Sequence, residues 1–280
     1  MKRASERASE NDDNGDAVDR LVGSGLGADK IHSDKGRFEG HCMRGFTYLD
    51  DESWLRRRVR WFERNVLARE SAERPISDRQ AATVANFIRD NFGAKIVAAT
   101  AGTPFPAPLL PAIVCQETAY FWLDFMQTLA PSQVIARCVL DASGDVNGDR
   151  TAFPRNTAAF RARYGDEFSN LLIGEANDTR RLRGLGPKQW VYAGYGIFQY
   201  DLQYVTSDEA FFRDRQWYEI DQSFARVMDE LKSKFELTRD LWEAVRAYNG
   251  SGPRAEQYKR NVKHYFAICE RTWNATPPGS

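Results

Sequence analysis

Histidine is scarce in this sequence. His32, His41 and His264 are the only three, and no two of them stand at metal-ligand spacing, so zinc-dependent hydrolysis and Ser-His-Asp chemistry find no support. A phosphate-cradling loop is also missing: Gly184-Leu-Gly186 is a lone turn without the strand-to-helix context of a nucleotide site. Net charge is absent as well. Lys+Arg and Asp+Glu both number 39, which excludes global steering toward nucleic acid or an anionic membrane and leaves a small or uncharged partner. No stretch is long and apolar enough to span a bilayer. The four cysteines, Cys42, Cys115, Cys138 and Cys269, are far apart and fit neither a zinc spacing nor a dense disulfide framework, so they read mainly as buried thiols. No metal and no cofactor is expected.

Aromatic side chains are plentiful, with 7 Trp and 11 Tyr. Their flat faces can build core or stack on the apolar faces of sugar rings. Residues 1–36 are rich in Ser, Gly, Asp and Asn, a composition that cannot bury enough surface to order itself, and are expected to form a disordered leader. Residues 37–75 carry Phe46, Trp54 and Trp61 with an arginine patch at Arg56, Arg57, Arg58 and Arg60; they are expected to dock on the body, the patch forming a solvated helix face. The body, 76–275, reads as mainly α. Ser77 and Asp78 offer an N-cap for a helix to about Asn91, closed by Gly93. A second helix is expected from near Pro108 to before Pro131, followed by a helix-like segment from Ser132 to Leu140. Others are expected over about 156–174, 208–235, 239–249 and 253–273, each with apolar residues at spacings of three and four. A small β element is expected near residues 190–200.

Chemistry concentrates on the second helix. Leu110, Ile113 and Val114 form its buried stripe, and Glu117 falls three and four residues after Val114 and Ile113, on that same face. Burial disfavours a charged carboxylate, so Glu117 is expected to hold its proton near neutral pH, as a general acid must. A structural glutamate bonded to an arginine or a helix end would fit the same stripe.

Three segments together carry a resemblance. Pro108-Ala-Leu-Leu-Pro-Ala-Ile-Val-Cys-Gln-Glu117-Thr resembles the catalytic helix of lytic transglycosylases and goose-type lysozymes, a proline-led apolar run ending in Glu and then Ser or Thr. Gly194-Tyr-Gly-Ile-Phe-Gln-Tyr-Asp201 is similar to that family's glycine-rich Gly-Leu-Met-Gln segment, and Ala247-Tyr-Asn-Gly-Ser-Gly252, with Tyr258 and Asn261-Val262 beyond it, resembles the family's Ala-Tyr-Asn-Ala-Gly stretch and its trailing Tyr and Val. The resemblance implies a lysozyme-like helical fold acting on peptidoglycan or a related amino-sugar glycan, as a muramidase or a lytic transglycosylase. It implies Glu117 as the acid, Tyr248 as the tyrosine that orients it, Gln199 with Tyr195 and Gly196 on the substrate, and Asn249 as a neighbouring cleft residue. It spans roughly residues 104–268. Since no apolar run follows the basic start of the chain, such an enzyme is expected to be made in the cytoplasm without a secretory signal and to reach a cell wall by a non-classical route.

The departure from the family is an insertion: 76 residues separate Glu117 from Gly194, where the family has a short connection. Within it, residues 140–149 alternate carboxylates and amides like a calcium loop. Arg150 stands where the turn glycine belongs, and Asn156 where a bidentate Glu belongs, which favours a polar loop near the cleft. The insertion also contains Glu175, which extends the stripe Phe160, Tyr164, Phe168, Leu172 and lies 19 residues before Gly194, a rival for the acid. For a second carboxylate the candidates are Asp141, expected to return beside Glu117 in a helical hairpin, and Asp201, just past the glycine-rich turn; either could be a simple cap. Chitosanase-type hydrolysis of glucosamine polymers and a catalytically silent glycan-binding module are the alternative readings.

Overall fold

The structure is a computed structural model and describes residues 74–143, 150 and 152–275. The leader 1–36, residues 37–73 with the arginine patch, Cys42, and loop residues 144–149 lie outside the described residues. The described part is mainly α. Its elements are α1 (Asp78–Thr100), α2 (Leu109–Glu117), α3 (Ala119–Trp122), α4 (Pro131–Ala136), β1 (Val139–Leu140), α5 (Thr157–Leu182), β2 (Gly194–Tyr195), β3 (Tyr200–Asp201), α6 (Glu209–Arg213), α7 (Ile220–Thr238), α8 (Leu241–Asn249) and α9 (Gly252–Asn274), with short 3-10 turns before and after α6.

α1 begins as its sequence dictates. Ser77 is the N-cap, its hydroxyl accepting from the Gln80 backbone N–H while Gln80 Oε1 accepts from the Ser77 N–H. The helix does not stop at Gly93. Phe92, Ile96 and Thr100 continue the buried face, and burying that face outweighs the roughly 1 kcal/mol that an interior glycine costs. The second expected helix is broken rather than continuous: α2 ends at Glu117, Thr118 leaves helical geometry at φ −134°, and a separate turn, α3, follows. Nor does residues 132–140 form one helix. α4 ends at Ala136, and Val139–Leu140 turns into an edge strand. α5 starts at the Asn156 cap as expected but kinks at Gly165 (φ 83°) and runs past Gly174 to Leu182. The stretch 208–235 divides into α6, a 3-10 turn and α7.

Two hydrophobic clusters hold these elements. The larger one joins α1, α2, α7 and α9, with α9 packed along α2 and α1 and with α8 between α7 and α9. Tyr265 of α9 ties down the start of α1: its hydroxyl donates to Ile76 O at 2.8 Å and accepts from Ile76 N at 3.1 Å. The second cluster gathers Phe160, Phe168 and Leu172 of α5 against Tyr195, Phe211, Phe212 and Trp217. A three-stranded antiparallel sheet, ordered β1-β2-β3, sits between the clusters, pairing Val139 with Tyr195 and Gly194 with Asp201. Cys115, Cys138 and Cys269 are buried and free. Among the described residues, no helix is long and apolar enough to cross a membrane.

Candidate active site

α2 is buried on every side from Leu109 to Cys115, so whatever ends it is fixed by the core. What ends it is Thr118, whose hydroxyl donates to Ile197 O at 3.0 Å and accepts from Trp122 Nε1 at 3.2 Å. Ile197 belongs to the tight turn between β2 and β3. The end of α2, where Glu117 is the last helical residue, is therefore fastened to that turn through Thr118.

The turn has its own constraints. Gln199 N donates to Gly196 O at 3.0 Å, with Gly196 at φ 75° and Gln199 at φ 55°. A Cβ on Gly196 would meet Ser223 Oγ and Trp217 Cβ at 3.1 Å, so the glycine lets α7 and the neighbouring 3-10 turn press on the hairpin. Gln199 folds its amide back, Nε2 donating to Gly196 O at 2.8 Å and to Cys138 O at 3.1 Å. Its Oε1 lies only 2.3 Å from where a Cβ on Gly194 would sit, so Gly194 is glycine because the glutamine covers it.

α8 and α9 complete the site. The Tyr248 hydroxyl donates to Phe198 O at 2.8 Å, bonding α8 to the same turn. The Tyr258 hydroxyl donates to Glu117 Oε1 at 2.7 Å. The two rings lie 6.2 Å apart. Tyr258 therefore holds the Glu117 carboxyl, and Tyr248, expected in that role, bonds the turn instead.

The Glu117 carboxyl is pushed up to about 7, first by burial and further by the nearby Glu230 carboxylate, while the Tyr258 hydrogen bond pulls it down. Some of the residue remains open to solvent. Among the described residues no Lys or Arg pairs with it. Burial, reinforced by the Glu117 charge, drives the Tyr248 and Tyr258 phenols well above their ordinary range, so both are hydrogen-bond donors and not bases.

Glu175 has the opposite surroundings. Its Oε1 accepts from Arg215 Nε at 2.6 Å and its Oε2 from Arg137 Nη1 at 3.1 Å and from the Tyr218 hydroxyl. It lies inside α5 and not at a helix end, clamped between two guanidinium groups, and both oxygens are occupied.

The expected second carboxylates are not assembled with Glu117. Asp141 is exposed beyond β1 at φ 67°, where its Oδ1 accepts from Ser143 N at 2.9 Å; the helical hairpin that was to return it does not form, because the chain becomes a strand at Val139. Asp201 is held by Arg150 Nη2 at 2.8 and 2.7 Å and caps the following 3-10 turn through Gln203 N. Tyr195 is 1% exposed and packs edge-on to Phe212 and Trp217 in the second cluster. Asn249 is exposed at the end of α8. Between Glu117 and Gly194, Arg150 serves Asp201 and Asn156 caps α5.

Glu230 on α7 escapes the sequence reading. It lies three residues after Val227 and seven after Ser223, on one helix face, and accepts from the Tyr204 hydroxyl at 3.3 Å. The signal was the one that singled out Glu117, a carboxylate continuing an apolar stripe. Compared with protein-family models, with curated proteins and with solved structures, the chain matches none of them.

Proposed function

We propose that this protein cleaves an amino-sugar polysaccharide of the peptidoglycan class, on a lysozyme-like helical fold, with Glu117 as general acid. The observation that carries the reading is the carboxyl of Glu117, pushed up to about 7 and held by a phenol at the place where the ends of α2 and α8, the β2–β3 turn and α9 converge. Such a group is protonated around neutrality and can deliver its proton to a glycosidic oxygen as the bond to the sugar breaks. Tyr258 fixes the carboxyl's orientation. Tyr248 and Thr118 fix the turn that faces it, and Gln199 and Gly196 give that turn its shape. The motifs at Glu117, Gly194–Asp201 and Ala247–Gly252 support the family reading from the sequence side.

The test is incubation of the protein with peptidoglycan and, separately, with chitosan, with products resolved by mass spectrometry. Release from peptidoglycan is expected, and Glu117→Gln should lower it by about 10²–10⁴-fold without loss of helical content. Cleavage of chitosan alone would move the substrate to glucosamine polymers. Retention of glycan without release at any pH would make the protein a binding module, and undiminished release by Glu117→Gln would remove Glu117 from the chemistry.

A further inference from the structure

Three successive carbonyls of the β2–β3 turn each accept a hydrogen bond from a different part of the fold. Ile197 O accepts from the Thr118 hydroxyl at the end of α2, at 3.0 Å, and Phe198 O from the Tyr248 hydroxyl of α8, at 2.8 Å. Gly196 O accepts twice from Gln199, at 3.0 Å from its backbone N–H and at 2.8 Å from its side-chain Nε2. The same Nε2 donates at 3.1 Å to the carbonyl of Cys138, the residue just before β1. Gln199 Oε1 lies over Gly194 of β2, 2.3 Å from where a Cβ there would sit. One side chain thus holds the approach to β1, β2 and the turn.

Two properties of Gln199 bear on its use. An amide nitrogen carries two hydrogens, and both are directed at backbone carbonyls, so the side chain has no donor left for a sugar. Its backbone sits at φ 55°, a left-handed conformation disfavoured for a residue with a Cβ and kept where the surrounding contacts over-determine it.

We propose that Gln199 is a positioning residue and not a substrate contact: its amide staples the β2–β3 turn to the strands, and the stapled turn fixes the end of α2 that carries Glu117. The inference rests on the reading of Glu117 as acid on a glycan. When the staple is released, the Ile197 carbonyl shifts and Thr118 follows it. Glu117, whose carboxyl burial pushes up to about 7, then meets more water and gives up its proton at lower pH. A displaced acid lowers turnover without changing how tightly the substrate is held.

Two variants test this. Gln199→Met keeps the length of the side chain and deletes the amide. Gly194→Ala keeps the glutamine and evicts its amide, since the added Cβ collides with the far end of a flexible side chain. In both, kcat on peptidoglycan is expected to fall by about 10–10²-fold at unchanged KM, and the alkaline limb of the pH–rate profile to move to lower pH. The Glu117 carboxyl, followed by carbon-13 NMR in the free protein, is expected to titrate below its wild-type position of about 7. A raised KM with kcat and the limb in place in Gln199→Met would make Gln199 a substrate contact. Full activity in Gly194→Ala, or a Glu117 titration unmoved in both variants, would equally overturn the inference. Absence of glycan cleavage by the wild type sinks the underlying reading, and the NMR titration, which needs no substrate, then decides separately whether the staple acts on Glu117.

Discussion

Two glutamates occupy protected positions on this protein's helices, and their surroundings are opposites. Glu117, at the end of α2, receives one phenol and has another carboxylate in electrostatic range. Glu175, in the middle of α5, receives two guanidinium groups and a phenol. Both continue an apolar stripe in the sequence, so burial alone does not distinguish an acid from a structural strut. The sign of the neighbouring charge does. The Glu117 carboxyl, with no cation paired to it among the described residues, is pushed up to about 7, whereas Glu175, between two arginines, ties the end of α4, α5 and the 3-10 turn around Trp217 together through its ion pairs.

The sharpest way to break this contrast is to remove Glu175. Glu175→Ala strands two guanidinium groups and should destabilise the fold by about 3 kcal/mol, read as a lower midpoint in urea, while the folded fraction keeps its activity. A stable but inactive variant would transfer the acid role to Glu175.

A smaller effect is expected from pH. The folded Glu117 carboxyl at about 7 lies above the ordinary 4.5, so between those values the native state binds more protons than the unfolded chain. The contribution of this group to stability is therefore complete below about 4.5 and falls by roughly 2–3 kcal/mol as pH rises through about 7. Denaturation midpoints across that window should show the slope in the wild type and not in Glu117→Gln. Activity should decline above about 7 with the same group.

The smallest effect separates the two tyrosines. Tyr258→Phe removes the hydrogen bond that holds the Glu117 carboxyl down, so the alkaline limb of the pH–rate profile should move to higher pH, with a rate loss of about tenfold at the optimum. Tyr248→Phe breaks the bond to Phe198 O and should leave that limb in place. The reverse result would restore Tyr248 as the orienting residue.

The helical class, the Ser77 capping box, the Asn156 cap and the apolar stripe leading to Glu117 were legible because each depends on neighbours within a turn or two. The missed features depend on long-range contacts. Helices α1 and α5 run through Gly93 and Gly174 because their next apolar residues find partners in the two cores. α2 stops at Thr118 because its hydroxyl is needed 79 positions further along the chain. Tyr248 and Tyr258 are equivalent in pattern, and only the packing of α9 on α2 decides which one meets Glu117. Asp141 and Asp201 sat at turns, where the ordinary use of a carboxylate is to bond a nearby backbone N–H, and that is how both are used. Glu230 obeyed a rule already applied to Glu117 and went unread because its helix carried no motif.

The bond from Thr118 to Ile197 fastens the two ends of the long stretch between Glu117 and the glycine-rich turn. Once such a clasp is in place, the chain between is a closed loop, and the entropy of closing a flexible loop grows only with the logarithm of its length, about 0.6 kcal/mol for each doubling. An excursion that folds its own aromatic cluster around Phe160 and Trp217 adds favourable burial against that small penalty. Such a tether would let the intervening stretch lengthen or shorten over generations while the end of α2 stays against its turn.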